Sequence, residues 1–118
     1  VSYILQKGGA AVFTPEGQKQ IRENIKVYKQ NAAYLMKTLD SLGLWYTGGK
    51  NAPYIWMQCP NGMGSWEFFD YLLENIQVVG TPGQGFGSCG EGYFRFSTFG
   101  SPEDTKEAAA RLARLLGR

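Results

Sequence analysis

The chain has 118 residues, 43% of them hydrophobic and 14% aromatic, with 12 basic and 10 acidic side chains and a formal net charge of +2. That is the size and apolar content of one folded domain, which excludes a disordered tail, and the basic residues are spread too evenly to make a footprint for nucleic acid or an anionic membrane. No apolar run approaches the roughly 20 residues a membrane span needs, and the N-terminus shows no charged-then-apolar leader, so a cytoplasmic protein is expected.

Residues Ser2 to Ala11 read as a short helix with Ile4, Leu5 and Ala11 on its apolar side, weakened by Gly8 and Gly9. Thr14 then suits a helix cap, Pro15 the first helical position, and Glu16 complements the positive helix start. Beyond them Ile21, Ile25, Tyr28, Ala32, Leu35, Leu39 and Leu42 recur at alternating steps of four and three, which predicts one long one-faced helix stopped by a left-handed Gly43. Its other face carries Lys19, Arg22, Lys26, Lys29 and Lys37, read as a solvated face and not as a docking stripe. Sheet-forming sequence follows at once, so this helix is expected to pack on a sheet and not in a coiled coil.

Leu44 to Thr47 predicts a short strand, "GGKNAP" a turn, and Tyr54 to Cys59 a second strand ended by Pro60-Asn61-Gly62. Ser65 is expected to cap a helix over Trp66 to Asn75, with Phe69, Leu72, Leu73 and Ile76 inward. Gln77 to Thr81 predicts a strand, a glycine-rich loop follows, and Tyr93 to Thr98 forms the last strand. Ser101-Pro102-Glu103-Asp104 opens a final helix with Ala109, Leu112, Ala113 and Leu116 inward and Gly117 at its end. The order predicts an α+β fold, a small sheet with helices packed on one face.

Two cysteines, Cys59 and Cys89, are too few for a disulfide scaffold, and without histidine they complete no common zinc set, so free thiols and no metal are expected. The missing histidine also removes the usual base for a Ser or Cys nucleophile, Ser97 has no base beside it, and nothing near Cys89 would obviously activate it. In the glycine loop, "GFGSCG" (Gly85 to Gly90) matches the dinucleotide fingerprint G-x-G-x-x-G. The fingerprint works when its glycines open a helix, and here a strand follows, so nucleotide binding is rejected. Glycines Gly83, Gly85, Gly87 and Gly90 instead read as a tightly turned connection able to close over a ligand.

Arg95 is the most informative residue. Alternation along the last strand puts it on one face with Tyr93 and Ser97, while Phe94 and Phe96 take the other. A guanidinium keeps its charge, so burial demands an anionic partner: an internal carboxylate such as Glu67, Asp70 or Glu91, or the carboxylate of a ligand. Tyr54 and Trp56 could line a pocket beside it, although aromatic residues on a strand are usually core.

The segment Asn51 to Gly100, above all "VVGTPGQGFGSCGEGYFRFS", together with "FTPEGQKQI" (Phe13 to Ile21), resembles the C-terminal small domain of the fold type I pyridoxal-phosphate aminotransferases, most closely their diaminopimelate branch in lysine biosynthesis. Thr98 stands where relatives often have alanine. The resemblance implies a truncated interdomain segment at 1–12 and the small domain at 13–118. It also implies that Arg95 grips the substrate α-carboxylate and that the glycine loop belongs to a lobe closing over an amino-acid or keto-acid substrate. Pyridoxal phosphate would belong to a missing N-terminal large domain of a homodimeric parent. None of Lys7, Lys19, Lys26, Lys29, Lys37, Lys50 and Lys106 lies in the Ser-rich motif that carries the Schiff-base lysine of that family. No catalytic residue is therefore assigned here, and the segment alone is expected to bind no cofactor and to be inactive. Two alternatives stay open: an aminotransferase of the same fold acting on another amino acid, and a free-standing amino-acid-binding module.

Overall fold

In the computed structural model, which describes residues 1–117, the Thr14 hydroxyl accepts a hydrogen bond from the Gly17 amide (3.1 Å) and Pro15 opens helix α2 (Pro15–Ser41). This is the capping chemistry its sequence predicts. Gly43 ends the helix in the left-handed region at φ 65°. Before it, helix α1 (Tyr3–Ala11) is exposed at every residue and stands clear of the core.

Strands β1 (Tyr46–Gly48), β2 (Tyr54–Gln58), β3 (Thr81–Pro82) and β4 (Tyr93–Ser97) form an antiparallel sheet in the order β1-β2-β4-β3. Helices α3 (Ser65–Ile76) and α4 (Pro102–Leu116) complete the α+β architecture. Ile55 and Met57 of β2 and Phe94 and Phe96 of β4 turn to one face and are buried against Leu35 and Leu39 of α2, Phe68 and Leu72 of α3, and Ala109 and Leu112 of α4. Phe68 meets Phe94 edge to face with centroids 5.1 Å apart, and burial of each such side chain stabilises the fold by about 1.5–3 kcal/mol. Helices thus cover one face, and the other face of β2 and β4 is left for different work.

Several local expectations need correction. Ser65 is the first residue of α3, with Gly64 before it at the cap position, because its hydroxyl is engaged across the fold and not by its own helix. The inner face of α3 is Phe68 and Leu72; Phe69 is half-buried and Leu73 is 40% exposed, so the stripe is rotated from the predicted one. The strand expected at Gln77 to Thr81 shrinks to Thr81–Pro82, since Gln77 adopts a left-handed conformation (φ 51°) that ends α3, and Pro82 brings no backbone donor. Ile25 on α2 is exposed, whereas Asn31, outside the apolar stripe, is buried and donates from Nδ2 to the carbonyls of Thr98 (3.0 Å) and Gly100 (2.8 Å). That pair of bonds ties α2 to the segment leaving β4.

Candidate functional site

Strand β4 carries Tyr93, Arg95 and Ser97 on the face away from the helices, in register with Gln58, Trp56 and Tyr54 of β2. With Ile55 and Met57 committed to the core, the pleat sends Tyr54 and Trp56 outward, so these aromatics are not core residues. Trp56 stacks on Tyr93 with centroids 5.6 Å apart and planes 20° apart, and meets Phe86 of the glycine loop edge-on at 5.8 Å. The Arg95 guanidinium lies 4.3 Å from the Tyr54 ring centroid and 4.5 Å from that of Phe86. Tyr54 comes from the neighbouring strand β2 and Phe86 from the loop that follows β3.

Among the described residues Arg95 has no salt bridge, and its Nε is buried without a hydrogen-bond partner. The internal carboxylates weighed from the sequence are engaged elsewhere or unpaired with it. Glu91 Oε1 accepts from the Ser65 amide (2.9 Å) and Glu67 Oε2 from the Gly64 amide (3.2 Å), which places both at the N-terminus of α3, where helix polarity favours negative charge. Asp70 is exposed on α3 and makes no ion pair. An exposed-edged guanidinium between two rings, with no anion of its own, can receive a carboxylate through its terminal nitrogens.

The glycine loop consists of two short 3-10 turns, Gly83–Phe86 and Ser88–Gly90. Its four glycines differ. Gly83 and Gly90 are buried with their backbones in contact, and a Cβ on either would strike the other's carbonyl oxygen. Gly85 and Gly87 sit at the exposed tip, Gly87 with φ 119° and Gly85 with open space around its Cβ position. The base is fastened further by the fully buried Ser65 hydroxyl, which is within reach of the Gly90 (3.0 Å) and Tyr93 (2.8 Å) carbonyls and donates to one at a time. Leaving the loop, the chain enters β4, so the dinucleotide-like glycines open no helix.

Two cavities lie near the sheet. A groove of roughly 360 Å³ beside β3 runs between the sheet and helices α2 and α4, lined by Leu35, Thr81, Arg95, Phe96, Asp104 and Leu112 among others; neither Tyr54 nor Phe86 borders it and it contains no lysine. A second cavity of roughly 460 Å³ lies between α2 and the β1–β2 turn, lined by Tyr28, Lys29, Lys50, Pro53, Thr98 and Phe99 among others. Every lysine of the chain is exposed. A pyridoxal-phosphate site needs a lysine held against the cofactor and a cluster of phosphate donors. The groove at Arg95 offers neither. Cys89 is exposed on the loop, whereas Cys59 is buried and its thiol is pushed up to about 11, chiefly by burial and further by the charges of Glu91 and Glu67, so it stays protonated at neutral pH. No group of His, Cys, Asp or Glu among the described residues is gathered to hold a metal ion, and no described helix is long and apolar enough to cross a membrane.

Sequence reasoning singled out Arg95 and the loop glycines but passed over Phe86 and Asn31 and read Ser65 only as a helix cap. Phe86 had a signal of its own, a large ring alone between glycines, which is an expensive place for an apolar side chain unless it has a surface to lie on. Asn31 and Ser65 had none, since their partners are distant in the chain.

The model of the aminotransferase class I and II family matches residues 1–112. The chain is 56% identical over 115 residues to the LL-diaminopimelate aminotransferase of Azobacteroides pseudotrichonymphae genomovar. CFP2, covering 98% of this chain and 29% of that protein. It is 53% identical over 115 residues to that of Lawsonia intracellularis (strain PHE/MN1-00), covering 98% and 28%. Among solved structures, L,L-diaminopimelate aminotransferase from Chlamydomonas reinhardtii superposes with a TM-score of 0.95 at 44% identity over 99% of this chain and 29% of that one. The aromatic aminotransferase from Pyrococcus horikoshii OT3 superposes with a TM-score of 0.84 at 31% identity over 92% and 29%. The chain therefore spans 28–29% of the length of these curated relatives. With the family model covering 112 of the 118 residues, this chain belongs to the class I and II aminotransferases.

Proposed function

We propose that residues 13–118 are the C-terminal small domain of a pyridoxal-phosphate-dependent aminotransferase acting on LL-diaminopimelate, joined through residues 1–12 to the lobe that holds the cofactor. In this reading the full-length protein is a cytoplasmic homodimer that exchanges an amino group between glutamate and tetrahydrodipicolinate. The observation that carries the reading is Arg95: a fixed charge on the open sheet face, free of any ion pair among the described residues and ringed by Tyr54 and Phe86.

The chemistry this chain contributes is recognition. Arg95 projects from the middle of a strand whose alternate side chains are locked in the core, so a carboxylate docked on its terminal nitrogens is held to within a rotamer's freedom. Aromatic neighbours lower the local dielectric and strengthen that ion pair. Pyridoxal phosphate, when bound by the rest of the protein, supplies the electron sink for the amino-transfer chemistry. The loop tip at Gly85 and Gly87 covers the bound amino acid and excludes water, while Gly83 and Gly90 keep the base of the loop in place. The isolated 118-residue chain binds no cofactor and turns nothing over.

A steady-state assay of the full-length polypeptide carrying this segment tests the proposal. Turnover with LL-diaminopimelate and 2-oxoglutarate should exceed turnover with aromatic amino acids, and Arg95→Lys should lower kcat/KM by about 100-fold, since a lysine cannot form the two parallel bonds. The likeness to the Pyrococcus horikoshii aromatic aminotransferase supports a second reading, the same carboxylate grip with another amino acid. Equal or better turnover of phenylalanine or tyrosine would favour it.

A further inference from the structure

We propose that Phe86 is a positioning residue, one half of an aromatic clamp with Tyr54 that holds the Arg95 guanidinium ready for a carboxylate; this rests on the carboxylate role of Arg95 given above. Phe86 is 54% exposed, an unfavourable setting for a large ring, and the surfaces it finds are the guanidinium at 4.5 Å and the edge of Trp56 at 5.8 Å. The ring of Tyr54, on β2, lies 4.3 Å from the guanidinium. An arginine side chain on an open face ordinarily samples many rotamers, and a ligand that stops this motion loses affinity by ordering it. Two rings against the guanidinium remove that freedom before the ligand arrives. They also leave Nε buried and unpaired, so the terminal nitrogens are the donors left to meet an anion.

Tyr54 brings its half of the clamp from the sheet, and Phe86 brings the other half from the loop. Phe86 closes the first 3-10 turn, and the base of that loop is fixed by the Gly83–Gly90 backbone contact and by Ser65. Loop conformation thereby sets the rotamer of the residue that reads the substrate. When Phe86 lifts with the loop tip, Arg95 loses one wall, which couples cover of the site to the strength of its grip. A bland apolar role would ask only for bulk at position 86; the clamp asks for a π face over a cation.

Kinetics of the full-length enzyme distinguish these. Phe86→Leu keeps apolar bulk without the ring, and it should raise KM for the amino acid about fivefold with kcat changed less than twofold. Phe86→Tyr and Phe86→Trp should restore KM to within about twofold of the parent. Leucine as good as phenylalanine, or tyrosine and tryptophan as poor as leucine, overturns the clamp. Arg95→Lys measured alongside separates the two ideas. If it raises KM strongly and Phe86→Leu does nothing, the clamp alone fails; if it leaves KM untouched, the carboxylate role and the clamp fail together. Thermal melts of the Phe86 variants should match the parent, because the ring lies outside the core.

Discussion

Replacing Asn31 by leucine probes how the strand that carries Arg95 is held at its far end. Asn31 is 2% exposed on α2, and its Nδ2 donates to the Thr98 and Gly100 carbonyls at 3.0 and 2.8 Å. Leucine has the same branched shape and number of side-chain heavy atoms but bulkier methyl ends, so the change removes the donors without opening a cavity and any crowding only adds to the cost. Gly100 is exposed, so its carbonyl regains water, whereas Thr98 is fully buried and its carbonyl is stranded. Two net hydrogen bonds of about 1 kcal/mol each, plus about 1–2 kcal/mol for a stranded buried acceptor, sum to about 3–4 kcal/mol of lost stability. For a domain of this size that lowers Tm by about 10–15 °C. Urea unfolding of the 118-residue chain, followed by tryptophan fluorescence, should show a lower midpoint with an unchanged slope. Asn31→Asp should be worse than leucine, because it sets a buried carboxylate against two carbonyl oxygens. A loss below about 1 kcal/mol for leucine, or an aspartate variant as stable as the parent, would refute the reasoning.

The remaining predictions concern the loop, an orphaned hydroxyl and the thiols. Gly90→Ala should destabilise by about 2 kcal/mol or more because its Cβ meets the Gly83 carbonyl, whereas Gly85→Ala, with nothing within 4 Å, should stay within about 0.5 kcal/mol of the parent in the same urea assay. Thr98 Oγ1 is buried without a partner, so Thr98→Val, which exchanges the hydroxyl for a methyl, should stabilise by about 1 kcal/mol in urea unfolding, and a loss of that size would contradict it. Alkylation of the native chain with iodoacetamide at pH 8 should modify Cys89 and spare Cys59, read by peptide mass spectrometry. Because the Cys59 pKa is raised in the folded state from 9.0 to about 11, the stabilising contribution of the protonated thiol is complete below pH 9 and is lost as pH rises toward 11. Unfolding midpoints measured across that interval should fall more steeply in the parent than in Cys59→Ala.

How far the sequence reveals this molecule depends on the distance over which each feature is encoded. Thr14-Pro15, Gly43 and Ser101-Pro102 signal helix ends through residues a few positions apart, and the structure places α2 and α4 where those signals point. The alternation in Tyr93 to Ser97 fixes the outward face of Arg95 for the same reason. Features that depend on a remote partner were invisible. Ser65 looks like a cap until the Gly90 and Tyr93 carbonyls arrive beside it, and Asn31 looks like a surface residue until β4 ends against α2. The strand predicted at Gln77 to Thr81 failed because β propensity was read through a left-handed residue whose conformation is set by the helix before it. Within the site, the glycines announced a tight loop but not which of them are packed and which are free, since that is decided by the approach of one backbone to another.

The central claim is that Arg95 meets a ligand's carboxylate and no acid of its own chain. A crystal structure of the full-length protein with a bound amino acid measures this directly. The account predicts two contacts of about 2.8 Å from the terminal nitrogens of Arg95 to one carboxylate of that amino acid, with Tyr54 and Phe86 still against the guanidinium. A ligand carboxylate held by some other side chain, with Arg95 paired to a protein acid such as Asp104 across the β3-edge groove, would contradict it.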